Sequence, residues 1–306
     1  SLLDQRRSKN SMYQNGGLPA RSLVNLRSIV DLRMLERTHR ILHANMPTGT
    51  TMLKSILITG GGSGIGAALA VALSSRGCNV IVTGRRKDVL EDVASNSPHI
   101  SPHVADVTNE SDRIALAEAL ANLPGPRGLF HGAGYFQLGK LDRLSSTDWQ
   151  KSFDTNVTAR WALSRLCASH LDGGRILFVG SDSGANPRVG AAAYSIAQSA
   201  SETLRRALQA EWAGRDIAIT GFKPGLVDTA LVQGFLAQPE SEFPSRAAYQ
   251  AYIDRGEITT PETVAFFATW LLLDAEIARY SGTDWDIRTP EHHSEWLDGP
   301  LYPVAP

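Results

Sequence analysis

From residue 55 onward the apolar positions fall into two alternating rhythms. Short unbroken apolar runs, beginning with Ser55-Ile56-Leu57-Ile58-Thr59, read as strands buried on both faces, and longer stretches with apolar residues three or four apart read as helices. The pattern predicts a helix over Gly64 to Ser75, a strand over Cys78 to Thr83 and a helix over Lys87 to Ala94. It continues with a strand ending near Val104, a helix over Asp112 to Leu123, a strand over Gly128 to His131 and a long helix over Asn156 to His170. Strand Arg175 to Val179, helix Tyr194 to Trp212 and strand Ile217 to Phe222 repeat the theme, before a helix over Pro261 to Leu273 and a last strand near Trp285-Asp286-Ile287. Such alternation forms right-handed βαβ units, hence a parallel sheet with helices on both faces. The expected fold class is α/β, one doubly wound domain over residues 53–306.

Residues 1–52 break this rhythm and form an N-terminal extension. Arg6, Arg7, Lys9, Arg21, Arg27, Arg33, Arg37 and Arg40 face only Asp4, Asp31 and Glu36, and Leu23, Leu26, Val30 and Met34 recur at helical spacing. Three readings stand: an arm packed on the body or on a neighbouring subunit, an upstream extension without function, or a basic, acid-poor targeting segment. No continuous apolar stretch of the kind used for secretion supports the last as a signal peptide.

Composition narrows the classes of function. The chain has 306 residues, 42% hydrophobic and 20% charged, with a formal net charge of -1. This near-neutral balance gives nucleic acid no electrostatic footing. Cys78 and Cys167 are distant and set among apolar residues, which signals neither a disulfide framework nor a metal site. Apolar runs fall far short of the roughly twenty residues of a membrane span, so the expected location is the cytoplasm.

The first strand leads directly into Thr59-Gly60-Gly61-Gly62-Ser63-Gly64-Ile65-Gly66, and a helix comes next. Glycines here let the backbone turn sharply and approach a pyrophosphate, whose charge the free N–H groups of the helix start can meet. Gly60, Ser63, Gly64, Ile65 and Gly66 are thus candidates for dinucleotide binding. At the end of the second strand, Gly84 stands where an acidic residue would accept hydrogen bonds from the ribose hydroxyl of NAD, and Arg85 is next to it. A guanidinium suits the 2′-phosphate of NADP, which favours NADP (NADPH) over NAD.

Further motifs stand in order along the chain: Asp106-Val107, His131-Gly132-Ala133-Gly134, Ser181 thirteen residues before Tyr194, and Pro224-Gly225-Leu226-Val227-Asp228-Thr229. With the glycine run, they resemble the short-chain dehydrogenase/reductase family over roughly Lys54 to Ile287. The resemblance implies a Rossmann fold and assigns further nucleotide contacts: Asp106 and Val107 to adenine, Ala133 and Gly134 to the nicotinamide ribose. Pro224, Gly225, Val227 and Thr229 would meet the carboxamide. It also makes Tyr194 the acid/base, Ser181 the hydroxyl holding the substrate oxygen (Ser183 being second by spacing) and Asn156 the residue ordering a proton-relay water. A homodimer or homotetramer is implied as well.

One position departs from the family. The resemblance calls for a lysine four residues after the tyrosine, and this chain has Gln198. The amide can still reach ribose hydroxyls, but it brings no charge to lower the Tyr194 pKa, so Tyr194 should serve better as a proton donor than as a base. The expected activity is therefore NADPH-dependent reduction of a small carbonyl compound, with a handicap of about 3 kcal/mol from the missing charge. The alternative is a weak or silent relative that binds NADP(H) as a scaffold or sensor. Arg188, in the loop before Tyr194, and Lys223 are candidates to replace the lost cation, and Arg188 also to bind an anionic or polar substrate group. Tyr135, Phe136 and a lid over about residues 230–260, with Phe235, Phe243, Tyr249 and Tyr252, point to an apolar or aromatic substrate.

Overall fold

The computed structural model describes residues 53–302, and the N-terminal extension expected over residues 1–52 lies outside the described residues. Seven strands form one sheet in the order β3-β2-β1-β4-β5-β6-β7, and every neighbouring pair is parallel. They are β1 (Ser55–Thr59), β2 (Asn79–Gly84), β3 (Ile100–Val104), β4 (Arg127–His131), β5 (Gly174–Val179), β6 (Ile217–Lys223) and β7 (Trp285–Asp286). This is the doubly wound, Rossmann-type arrangement that the alternation of patterns predicts. All five residues of β1 are buried, because helices cover both faces of its central place. β3 is the opposite case, largely exposed and carrying Pro102, which an edge strand tolerates because it lacks a neighbour on one side.

Ten α-helices accompany the sheet among the described residues: α1 (Gly64–Ser75), α2 (Lys87–Ala94), α3 (Glu110–Ala121), α4 (Ser146–Phe153), α5 (Ala159–Cys167), α6 (Ala192–Glu211), α7 (Ala230–Leu236), α8 (Arg246–Asp254), α9 (Pro261–Leu273) and α10 (Ile277–Gly282). On one face α1 and α9 meet over Ile56, Ile58, Leu69, Leu73 and Leu271; on the other, α3 and α5 meet over Leu57, Leu116, Leu129 and Leu163. Truncating a side chain as enclosed as Leu57 to alanine would cost about 2–5 kcal/mol.

Two departures from the pattern concern the site. The helix expected from Asn156 begins ten residues earlier, as α4, and joins α5 through a π-helical turn at Asp154–Thr158. A wide turn inserts one residue into the helical ladder and re-aims the helix beyond it, a feature frequent at functional positions. Ser145 starts α4 by accepting a hydrogen bond from the Asp148 N–H, a capping signal present in the sequence but without a strong apolar period beyond it. The segment expected as a lid forms two short helices, α7 and α8, and α8 buries none of its residues. No helix among the described residues is long and apolar enough to cross a membrane.

Candidate functional site

β1 and β4 are neighbours in the sheet, yet the helices after them pass to opposite faces, so a crevice opens above their carboxyl ends. The glycine run forms one wall. Gly60 has φ +70°, and a Cβ there would lie 2.8 Å from the Ala133 nitrogen; one on Gly66 would lie 2.4 Å from the Gly60 carbonyl oxygen. Thr59 fastens the two chain segments: its hydroxyl accepts from the Gly132 and Ala133 N–H groups, each at 3.1 Å, and donates to the Phe130 carbonyl. α1 begins without a side-chain cap from Ser63 and without an acidic residue in its first turn. Its N–H groups and positive end are thus free for an anion.

Thr229, 165 residues downstream of Gly64, comes to the same helix start: a Cβ on Gly64 would lie 3.3 Å from the Thr229 methyl. Gly225 (φ +67°) turns the chain, and backbone bonds between Asp228 and Thr259 and between Thr259 and Leu226 pin the Pro224–Thr229 run beside the crevice. Arg85 is exposed, and its charge helps hold the Asp106 carboxyl below its ordinary range: burial opposes this, while hydrogen bonds from the Thr108 N–H and hydroxyl favour it. Thr59, Val107, His131, Ala133 and Arg160 line one small hollow together. A nucleotide fits this cradle. Its pyrophosphate would meet the α1 start, and its ribose hydroxyls would meet Gln198, whose buried Oε1 has no partner among the described residues.

α6 supplies the other wall. Tyr194, Gln198 and Ser201 stand on successive turns of it, and Gln198 and Ser201 are buried. Tyr194 is half-buried, with the Phe136 ring edge-on at 4.9 Å. Burial pushes its phenol above the ordinary value, while the Ser181 hydroxyl and the Arg160 charge pull the other way. Ser181 also accepts from the Ser183 N–H at 3.2 Å, opening a short turn at Asp182–Gly184. Arg288 braces that turn, binding Asp182 at 2.9 Å and Asp286 of β7 at 2.6 Å. Ser183 itself is buried, which leaves Ser181 as the hydroxyl beside the phenol.

Asn156 lies in the π turn, fully buried. Its Oδ1 accepts from the Tyr135 N–H at 3.1 Å and its Nδ2 donates to the Tyr135 carbonyl at 2.9 Å. The carboxamide thus clamps the loop after β4. The Tyr135 hydroxyl is tied to Asp148 at 2.9 Å, which leaves Phe136 as the ring turned to Tyr194. Phe136 continues into an aromatic group with Phe235, Phe243 and Tyr249, and Arg188 lies 5.7 Å from the Tyr249 ring centre. Lys223 sits at the β7 edge, where its charge acts on Asp286. A charge acting on Tyr194 comes from Arg160, which no motif singles out. Its one signal in the sequence is a charged residue on the buried stripe of α5, beside Ala159, Ala162 and Leu163.

Known proteins agree with this architecture. The family model described as short chain dehydrogenase matches residues 54–240. An uncharacterized oxidoreductase of Staphylococcus aureus (strain N315) is 30% identical over 190 residues, spanning 60% of this chain and 81% of the relative. The 2,3-dihydro-2,3-dihydroxybenzoate dehydrogenase of Escherichia coli (strain K12) is 27% identical over 238 residues, 74% of this chain and 92% of that one. Among solved structures, a Beutenbergia cavernae protein provisionally named as an NAD(P)-dependent gluconate 5-dehydrogenase, with NADP bound at low occupancy, superposes with a TM-score of 0.66 at 29% identity. It covers 76% of this chain and 94% of that one. A short-chain dehydrogenase/reductase from Serratia marcescens BCRC 10948 gives a TM-score of 0.67 at 26% identity, over 76% and 95% of the two chains. The glycine cradle, the serine–tyrosine pair and the seven-stranded parallel sheet thus have one common source: the chain belongs to the short-chain dehydrogenase family of oxidoreductases.

Proposed function

We propose that the protein reduces a carbonyl compound to an alcohol with NADPH, Tyr194 giving the proton. The observation that carries the direction is the half-buried phenol: burial raises its pKa, and no lysine stands at position 198 to offset that. A neutral phenol is a ready donor and a poor base. Bound nicotinamide supplies the hydride; the protein does the rest. Ser181 holds the carbonyl oxygen beside Tyr194, Phe136 packs on the phenol ring, and the glycine cradle with Thr229 would hold the nucleotide. Loss of the proton donor removes the reaction, so NADPH oxidation against a panel of aromatic and aliphatic carbonyls, with Tyr194→Phe as control, tests the reading.

Support for NADPH over NADH comes from Arg85, exposed beside the second strand's end with no carboxylate among its hydrogen-bond partners in the described residues, and from the NADP carried by the Beutenbergia relative. The aromatic group over Tyr194 favours an apolar or aromatic substrate, with Arg188 at its edge for a polar or anionic group. Gln198 supports a second reading, a weak relative that binds NADP(H) as a scaffold or sensor. Tight NADPH binding without turnover of any carbonyl would favour it. Trp149, Trp161 and Ile196 are exposed on α4, α5 and α6, which suits pairing with a second copy, and a monomer mass measured in solution would oppose that.

A further inference from the structure

Among the described residues, Arg160 is a buried charge without a counter-charge. It is 4% exposed, and its hydrogen-bond partners are all neutral: Nη1 donates to the Val179 carbonyl and the Ser201 hydroxyl, each at 2.9 Å, and Nη2 donates to the Ala133 carbonyl at 3.3 Å. Its Nε has no partner among the described residues. Enclosing an unpaired cation is costly, and carbonyl dipoles cover only part of that cost. Its burial pulls the guanidinium pKa down to about 10, while Tyr194 pulls it back up.

The three anchors hold the guanidinium at the junction of the site's walls. Ala133 precedes Gly134 in the turn after β4. Val179 ends β5, two residues before Ser181. Ser201 lies one turn beyond Gln198 and two beyond Tyr194 on α6. Asn156, one turn before Arg160, holds the loop that carries Phe136 onto the phenol. Titratable neighbours come from two elements: His131 on β4 and Tyr194 on α6. His131 is buried, bonds Ser164 at 2.8 Å and is kept neutral by burial and by Arg160 itself. Tyr249 opposes ionisation of Tyr194. Tyr194 is therefore the neighbour on which negative charge can form.

We propose that Arg160 is the positioning residue that supplies this site's fixed positive charge, stabilising the Tyr194 oxygen as it becomes anionic and doing from α5 what no residue does from position 198. The proposal rests on the reading of Tyr194 as proton donor. As the carbonyl carbon receives hydride, the carbonyl oxygen takes the Tyr194 proton, and the phenol is left as phenolate until solvent returns a proton. A preorganised cation lowers the energy of that charged state without rearranging.

Two variants test it, each read without and with substrate. Arg160→Gln removes the charge, and Ser201→Asp keeps the arginine in place while pairing it. The first readout is the tyrosinate absorbance titration, taken as the difference from the same variant carrying Tyr194→Phe; the second is kcat and KM for carbonyl reduction. Each variant should move the Tyr194 titration upward by about one unit and lower kcat about tenfold with KM unchanged. Arg160→Lys and the double variant Arg160→Gln/Gln198→Lys should restore both. A folded Arg160→Gln or Ser201→Asp protein whose Tyr194 titration stays in place overturns the proposal, and Ser201→Asp decides if Arg160→Gln does not fold. A titration that follows Arg160 in a protein reducing no carbonyl would sink the reductase reading alone. Tyr194-dependent reduction indifferent to Arg160 would sink this proposal alone.

Discussion

The two walls of the crevice are built on different principles. The β1–α1 wall is made of backbone: at Gly60 and Gly66 a single added carbon would lie under 3 Å from main-chain atoms. The β5–α6 wall is made of side chains arriving from separate elements: Tyr194 and Gln198 from α6, Ser181 from the loop after β5, Asn156 from the π turn and Arg160 from α5. A backbone site admits one residue type at each close approach. A side-chain site has more solutions, because a charge acts through space and can be delivered from another helix. The missing lysine and the buried arginine illustrate that freedom.

The sharpest break between the walls should come at Tyr194. Tyr194→Phe should leave the fold and NADPH binding intact and lower carbonyl reduction about a thousandfold, measured as NADPH oxidation. An equal loss of NADPH affinity would show that the two walls are not separable. The pH profile depends on the same residue. Tyr194 works protonated and its pKa is raised, so reduction should persist through neutral pH and fall only above the ordinary phenol value of 10.0. A fall beginning near neutrality would overturn that assignment.

On the backbone wall, Gly60→Ala should cost about 1–3 kcal/mol of stability, because the φ of +70° strains any side chain and its Cβ meets the Ala133 nitrogen. Thermal unfolding and NADPH titration would both register it. Gly62→Ala should be milder, since its φ lies outside the left-handed region and its Cβ meets a side-chain methyl of Val89, at 3.0 Å, rather than backbone. Arg85→Ala should weaken NADPH about tenfold and leave NADH nearly unchanged, as loss of a charged hydrogen bond of about 1.5 kcal/mol implies. Equal effects on both nucleotides would refute a role in phosphate selection. The smallest change is expected from Gln198→Lys in the otherwise native chain, less than tenfold in kcat, since Arg160 already supplies a cation to Tyr194.

Order along the chain was enough to specify the sheet. The buried run of β1, the glycines after it and the helical spacing of α1 are local signals, and β1 and α1 stand at their expected places. The glycine cradle was equally legible, because a close backbone approach leaves its mark as a residue type. Helix α4 was missed because its eight residues bury only Ser152, which leaves no apolar stripe to detect. The site's electrostatics were decided by tertiary structure. Arg188 and Lys223 are near the active residues in sequence, yet packing sends one to the Tyr249 ring and the other to Asp286. Arg160, 34 positions before Tyr194, is the cation that folding brings to the phenol. The chain's own order determines where glycine must be, since sterics is local; only the fold determines which charge faces which oxygen, since Coulomb forces depend on distance in space.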